Sequence, residues 1–183
     1  MTLTSEVFIQ ATETAPAIQA RAVVRTGQQQ LLAALRPKVA LLTELELGAD
    51  AREAALAALT DFCTGSVRRH LNATDQALYA PAADSPETRL LIRALRTTAT
   101  ALDQDIEALA RTDNAHRAKT IAQSIEAHLA THLAVEQAVL LPALLALPGI
   151  EPAALAADFT TLLDGGRLDR PAVLDVGRVV TDG

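Results

Sequence analysis

Histidine and carboxylate side chains recur at helical spacing in two segments of the sequence. His128, His132 and Glu136 follow one another at four-residue steps, so all three would project from one face of a helix. In an earlier segment, His70 is followed five residues later by Asp75. A carboxylate four or five residues after a histidine is the spacing by which one helix offers two metal ligands to a bundle core. A histidine beside a carboxylate is also suited to acid–base chemistry, because the carboxylate orients the imidazole and raises its basicity.

The elements that position these side chains are predicted to be four long helices. Chain breakers fall at 48–50, 81–86, 112–114 and 148–149, and the segments between them are rich in strong helix formers. Apolar residues recur there at spacings of three and four. Long helices with short connections predict an all-α, antiparallel four-helix bundle. Pro37, inside the first segment, predicts a kink or an interruption of that helix.

The C-terminal part predicts a short addition to this bundle. An amphipathic pattern that stops at two glycines predicts a fifth helix over 151–164. The bundle and this helix would form one domain, residues 1–166. Residues 167–183 are predicted to be a flexible tail, because charge, glycine and valine mix there without a helical period.

Composition excludes several classes of protein. Half of the 183 residues are apolar and only 2% are aromatic, which is too hydrophobic for a disordered chain. The net charge of −6, without a basic patch, argues against a nucleic-acid partner. The single cysteine, Cys63, excludes an intrachain disulfide and a thiolate metal cluster, and favours a cytoplasmic location. No membrane partner is expected, because the most apolar stretch, 139–150, is shorter than the about 20 residues of a transmembrane helix.

The two segments resemble the His-x-x-x-Glu segments of hemerythrin-like (HHE cation-binding) domains. The first runs from His70 through Tyr79 to Pro81, and the second runs from His132 through Glu136 to Pro142. The flanking stretches are similar to those of bacterial members, and the resemblance extends roughly from the first long helix to Gly166. It implies a four-helix bundle with a non-haem diiron centre, ligated by histidines from all four helices and bridged by carboxylates. It also implies chemistry with oxygen, nitric oxide, peroxide or iron.

Three positions expected to carry a ligand in this family carry another residue here. They are Gln28 on the first helix, Thr74 four residues after His70, and Ala99 on the third helix. The residues that remain of the family's set are His70, His132 and Glu136. A normal diiron centre is therefore not expected.

The first of three interpretations is a small-molecule pocket without a cofactor. The replacements go mostly from large to small side chains, which leaves a cavity in a bundle core unless neighbours collapse into it. The acid–base residues of this pocket would be His70, His132 and Glu136. The other residues predicted to contact the ligand are Gln28, Thr74, Asp75, Ala99 and His128.

Two other interpretations stay open. The second is a single metal ion, iron or another divalent metal, with oxygen, peroxide or nitric oxide chemistry. Its ligands would be His70, His132, Glu136 and Asp75. The third is a vestigial bundle that serves as a scaffold or an oligomerisation domain. A homodimer is compatible with all three interpretations.

Overall fold

The structure is a computed structural model that describes residues 14–43 and 48–168. Within these ranges the helices are α1 (Ala15–Thr43), α2 (Ala49–Phe62), α3 (Arg68–Thr74), α4 (Arg89–Arg111), α5 (Ala115–Val135), α6 (Leu141–Leu145) and α7 (Pro152–Leu163). No strand is present in the described part of the chain, and the predicted all-α bundle with a short C-terminal helix is confirmed. All but the first two residues of the predicted tail, 167–183, lie outside the described residues.

Two of the bundle helices are long rods assembled from several segments. Helix α2 passes through a π-helical turn, Cys63–Val67, into α3, and a second π turn, Asp75–Tyr79, leads into the 3-10 turn Ala80–Ala82. Helix α5 passes through a third π turn, Glu136–Leu140, into α6. A π turn bonds residue i to i+5 and therefore shifts the face that the following residues present. The second and third π turns lie directly beside the histidine segments.

A layer of polar side chains separates two apolar clusters in the core. On α1, Gln28 lies between Val24 of one cluster and Leu31 of the other. On the α2–α3 rod, His70 lies between Val67 and Ala73 in the same way. The layer is completed on α5 and its π turn by His132 and Glu136, both buried. Similar positions along the rods therefore bring these residues to one level of the bundle.

Helix α7 packs on α1 and α3 and covers one side of this level. It was predicted as residues 151–164 and is observed as Pro152–Leu163. A Cβ atom on Gly27 would lie 3.3 Å from Leu163 Cδ1 and 3.4 Å from Phe159 Cε1. The glycine therefore allows the close approach of α7 to α1. Helix α1 itself continues through Pro37, so this proline does not interrupt it.

One helical stretch, Ala115–Leu145, is long and apolar enough to cross a membrane by length and composition alone. Its side chains Ile125, Leu129 and Leu133 belong to an apolar core cluster of the bundle. The core helix of a folded bundle passes the same test, so this feature is weak support for a membrane span.

Candidate functional site

The carboxylate of Glu136 lies at the centre of a buried hydrogen-bond network. Its Oε2 atom accepts a 2.6 Å bond from Nε2 of Gln28 on α1. Its Oε1 atom accepts a bond from the Tyr79 hydroxyl and lies 3.1 Å from Nε2 of His132. Both oxygens therefore have partners, drawn from three separate parts of the bundle. Such partners are required, because a buried carboxylate without them is strongly destabilising.

Both ring nitrogens of His132 are engaged as well. Nε2 lies 3.0 Å from the Tyr79 hydroxyl, and Nδ1 lies 2.7 Å from Oγ1 of Thr98. The Thr98 hydroxyl also lies 2.8 Å from the carbonyl of Leu95. Its single proton can be donated either to the carbonyl or to Nδ1.

Tyr79 and Thr98 are the members of this network that were not among the predicted site residues, and Tyr79 is the one that contacts Glu136. It is fully buried, and its hydroxyl bridges His132 and Glu136. Burial, followed by the negative charge of Glu136, raises the pKa of Tyr79 above its usual range, so the hydroxyl stays protonated and donates. The residue lies at the end of the second π turn, where helical spacing no longer predicts the direction of a side chain. The available signal was its type, since it is the only tyrosine of the chain and ends the His70 segment.

Three buried polar atoms of the same layer have no hydrogen-bond partner among the described residues. They are Oε1 of Gln28, Nε2 of His70 and Oγ1 of Thr74, on side chains of residues that are at most 2% exposed. The other amide atom of Gln28, Nε2, donates to Glu136. Thr74 lies one turn beyond His70 on the same face of α3. We call Gln28, His70 and Thr74 the polar cradle. A buried polar atom without a partner costs about 1–3 kcal/mol.

His70 is neutral at neutral pH. Burial lowers its pKa to about 4; the charge of Glu136 opposes this shift and that of His132 adds to it. The ring of Phe159 on α7 packs edge-on against the imidazole, with the ring centres 5.5 Å apart. A neutral imidazole has one N–H donor and one nitrogen lone pair, and it can therefore bind a donor, an acceptor or a metal ion.

The structure brings most of the predicted site residues to one level of the core. Those in the buried layer are Gln28, His70, Thr74, His132 and Glu136. Ala99 lines a groove of about 680 Å³ that reaches Tyr79 and His132 from the solvent side of α3 and α4. The open volume beside this small residue is thus a groove rather than an interior chamber.

Asp75 and His128 do not join the layer. Asp75 forms a 2.6 Å ion pair with Nε of Arg96, and both side chains are nearly half exposed. Asp75 points away from the core because Thr74, four residues after His70, occupies the position that faces the core. His128 is exposed, with Nδ1 2.9 Å from Oδ2 of Asp105. The structure therefore places both predicted contact residues on the surface.

The donor set of the layer does not fit a diiron centre. Within residues 14–43 and 48–168, no group of three or more His, Cys, Asp or Glu side chains could hold a metal ion. His132 and Glu136 use their nitrogens and oxygens in the network, which leaves Nε2 of His70 as the histidine nitrogen available there. A diiron centre requires several histidines and carboxylates directed at the metals.

The fold and this layer define a helical bundle whose interior carries histidine and carboxylate side chains. The sequence profile of the hemerythrin HHE cation-binding domain matches residues 27–144, which is more than half of the chain. The protein therefore belongs to this family of cation-binding domains, as the resemblance predicted. Comparisons with curated proteins and with solved structures gave no match.

Proposed function

We propose that the protein binds a small polar molecule in the polar cradle and moves a proton between this ligand and Glu136. The observation that carries the proposal is the set of three buried polar atoms without partners, on Gln28, His70 and Thr74. Their side chains lie in the core, with α7 packed over α3. The ligand is therefore a molecule of few atoms that offers both hydrogen-bond donors and acceptors.

Proton transfer is the chemistry that the neighbouring network supports. Gln28 positions one oxygen of Glu136, and the Tyr79 hydroxyl positions the other. Thr98 contacts both the carbonyl of Leu95 and Nδ1 of His132, so the direction of its O–H bond favours one tautomer of His132. A preorganised network of this kind can accept and return a proton with little rearrangement.

A single divalent cation is the second candidate ligand of the same cradle. It is favoured by the atom types, because the imidazole nitrogen, the amide oxygen and the hydroxyl oxygen all carry lone pairs beside a carboxylate. Its ligands would come from His70, Gln28 and Thr74, and the family is one of cation-binding domains. When bound, such an ion would supply Lewis-acid or redox chemistry.

Mass and metal content distinguish the two candidates. The full chain would be expressed with added iron, purified without a histidine tag, and analysed by native mass spectrometry and elemental analysis. An organic adduct that is lost in His70→Leu and Thr74→Val supports the small molecule. Near-stoichiometric metal lost in the same variants supports the cation. The matched control is Thr120→Val, an exposed threonine whose hydroxyl donates to its own helix.

The sign of a stability change tests whether the cradle has any ligand at all. In ligand-free protein, Thr74→Val removes a buried hydroxyl without a partner and should raise the free energy of unfolding by about 1 kcal/mol. In protein that retains its ligand, the same change removes a hydrogen bond and should lower it by about 1 kcal/mol. Urea unfolding measures both. A stabilised variant in protein as purified, with neither adduct nor metal, would overturn the proposal in favour of the scaffold interpretation.

A further inference from the structure

A second groove runs along the outer face of α4, on the solvent side of the polar layer. It has a volume of about 410 Å³ and is lined by the side chains of Arg89, Arg93 and Arg96. These residues are four and three positions apart, so their side chains lie on one face of the helix. We call this the arginine groove. It adjoins the groove beside Ala99, because Arg96 and Thr100 line both.

The two grooves differ in whether their arginine side chains are paired with carboxylates. In the groove beside Ala99, Arg68 lies 2.5 Å from an Asp103 oxygen, and that cation is therefore neutralised. In the arginine groove, neither Arg89 nor Arg93 has a carboxylate oxygen within 4.0 Å among residues 14–43 and 48–168. Arg96 is paired with Asp75 through Nε, so its charge is neutralised as that of Arg68 is, and the unpaired charges of the groove are those of Arg89 and Arg93.

The acidic side chain closest in sequence, Glu87, has no arginine nitrogen within 4.0 Å among the described residues. Glu87, in the turn before α4, is hydrogen-bonded by the Ser85 hydroxyl. Arg89 is the first residue of α4, so the positive end of the helix dipole adds to the arginine charges. This concentration of positive charge occurs on a chain whose net charge is −6. The groove is thus locally cationic on an anionic protein.

We infer that the arginine groove binds an oxyanion, a carboxylate or a phosphate, free or on a small molecule. The planar guanidinium group matches both oxyanions, because it can donate two parallel hydrogen bonds to them. The guanidinium groups are the donors of the site, since the hydroxyls of Thr97 and Thr100 already donate to the carbonyls of Arg93 and Arg96. This site is separate from the polar cradle and does not depend on it.

The neighbouring groove determines what can be attached to the oxyanion. Its lining includes the carboxylates of Asp75, Asp103 and Glu107, as well as Tyr79 and His132. These carboxylates are already paired with arginines, whereas Arg89 and Arg93 are not, so a ligand that extends from the arginine groove toward His132 meets the unpaired positive charge at the arginine end. The ligand class is therefore a small molecule with one terminal acidic group.

Titration with simple oxyanions tests this site directly. Inorganic phosphate and acetate would be added separately to the ¹⁵N-labelled full chain, and the arginine Nε–H signals would be followed by NMR. We expect saturable shifts of Arg89, Arg93 and Arg96, and affinity that falls several-fold between about 20 mM and about 200 mM salt, because the site is exposed. Tighter binding of phosphate would identify a phosphate site, and tighter binding of acetate a carboxylate site.

Matched variants separate this site from general charge effects and from the cradle. Arg93→Gln should weaken binding about tenfold, since it removes a bidentate donor. Arg69→Gln removes an equal charge from an exposed residue outside the groove and should leave the affinity unchanged. His70→Leu should also bind phosphate normally, whatever becomes of the proposed function. Shifts that do not saturate, or equal losses in Arg93→Gln and Arg69→Gln, would overturn the inference.

Discussion

Acidification is expected to destabilise this protein through His70. Burial holds the pKa of this imidazole at about 4 in the folded chain, whereas its ordinary value is 6.5. Between these two pH values the unfolded chain binds a proton that the folded chain does not, so the free energy of unfolding decreases as the pH falls. A difference of one in pKa corresponds to about 1.4 kcal/mol, which gives a total loss of about 3 kcal/mol. The loss begins near pH 6.5 and is complete near pH 4.

The assay is urea unfolding followed by circular dichroism across this pH range. Other groups also titrate, and their effects cancel when variants are compared. Between pH 6.5 and pH 4, the free energy of unfolding of His70→Leu should decrease by about 3 kcal/mol less than that of the unmodified chain. Thr120→Val changes an exposed residue that carries no titratable group and should give a profile parallel to that of the unmodified chain. A His70→Leu profile that is also parallel would refute the argument that burial keeps His70 neutral.

Three further predictions follow from other contacts. Tyr79→Phe removes the hydroxyl that donates to Glu136 and should lower the free energy of unfolding by about 1–3 kcal/mol, measured by urea unfolding; an unchanged value would mean that the bond contributes nothing. Gly27→Val places methyl groups against Phe159 and should cost about 1–3 kcal/mol, with faster amide exchange in α7 if the helices separate there. Cys63 is buried and its pKa is raised to about 12, so iodoacetamide should alkylate it in urea but not in the native protein at neutral pH.

The bundle was predictable because its signals are local. Breakers and the spacing of apolar residues mark where α4, α5 and α7 can begin and end, and each helix needs one apolar face directed at its neighbours. The alignment of Gln28 with His70 at one level was also predictable, since equal distances along two antiparallel helices give equal heights. These inferences need no knowledge of side-chain packing.

The details of the site were less predictable, because they depend on departures from regular helix. Counting in steps of four assigns His128, His132 and Glu136 to one face, but His128 lies outside the core at the edge of that face. The π turn after Thr74 changes the register, and it is Tyr79 that enters the core. No pattern of apolar residues signals a π turn. The contact of Tyr79 with Glu136 could therefore be found only from the folded chain.

The contrast between the two halves of the polar layer is the main reason to expect a ligand. Around Glu136, each carboxylate oxygen has a hydrogen-bond partner in another part of the bundle. In the cradle, three atoms have none among the described residues, at about 1–3 kcal/mol each. Their sum is comparable with the about 5–15 kcal/mol that stabilises a whole domain. A bundle that served only as a scaffold would be more stable with apolar side chains at His70 and Thr74, whereas a bundle that binds a ligand there needs these polar atoms.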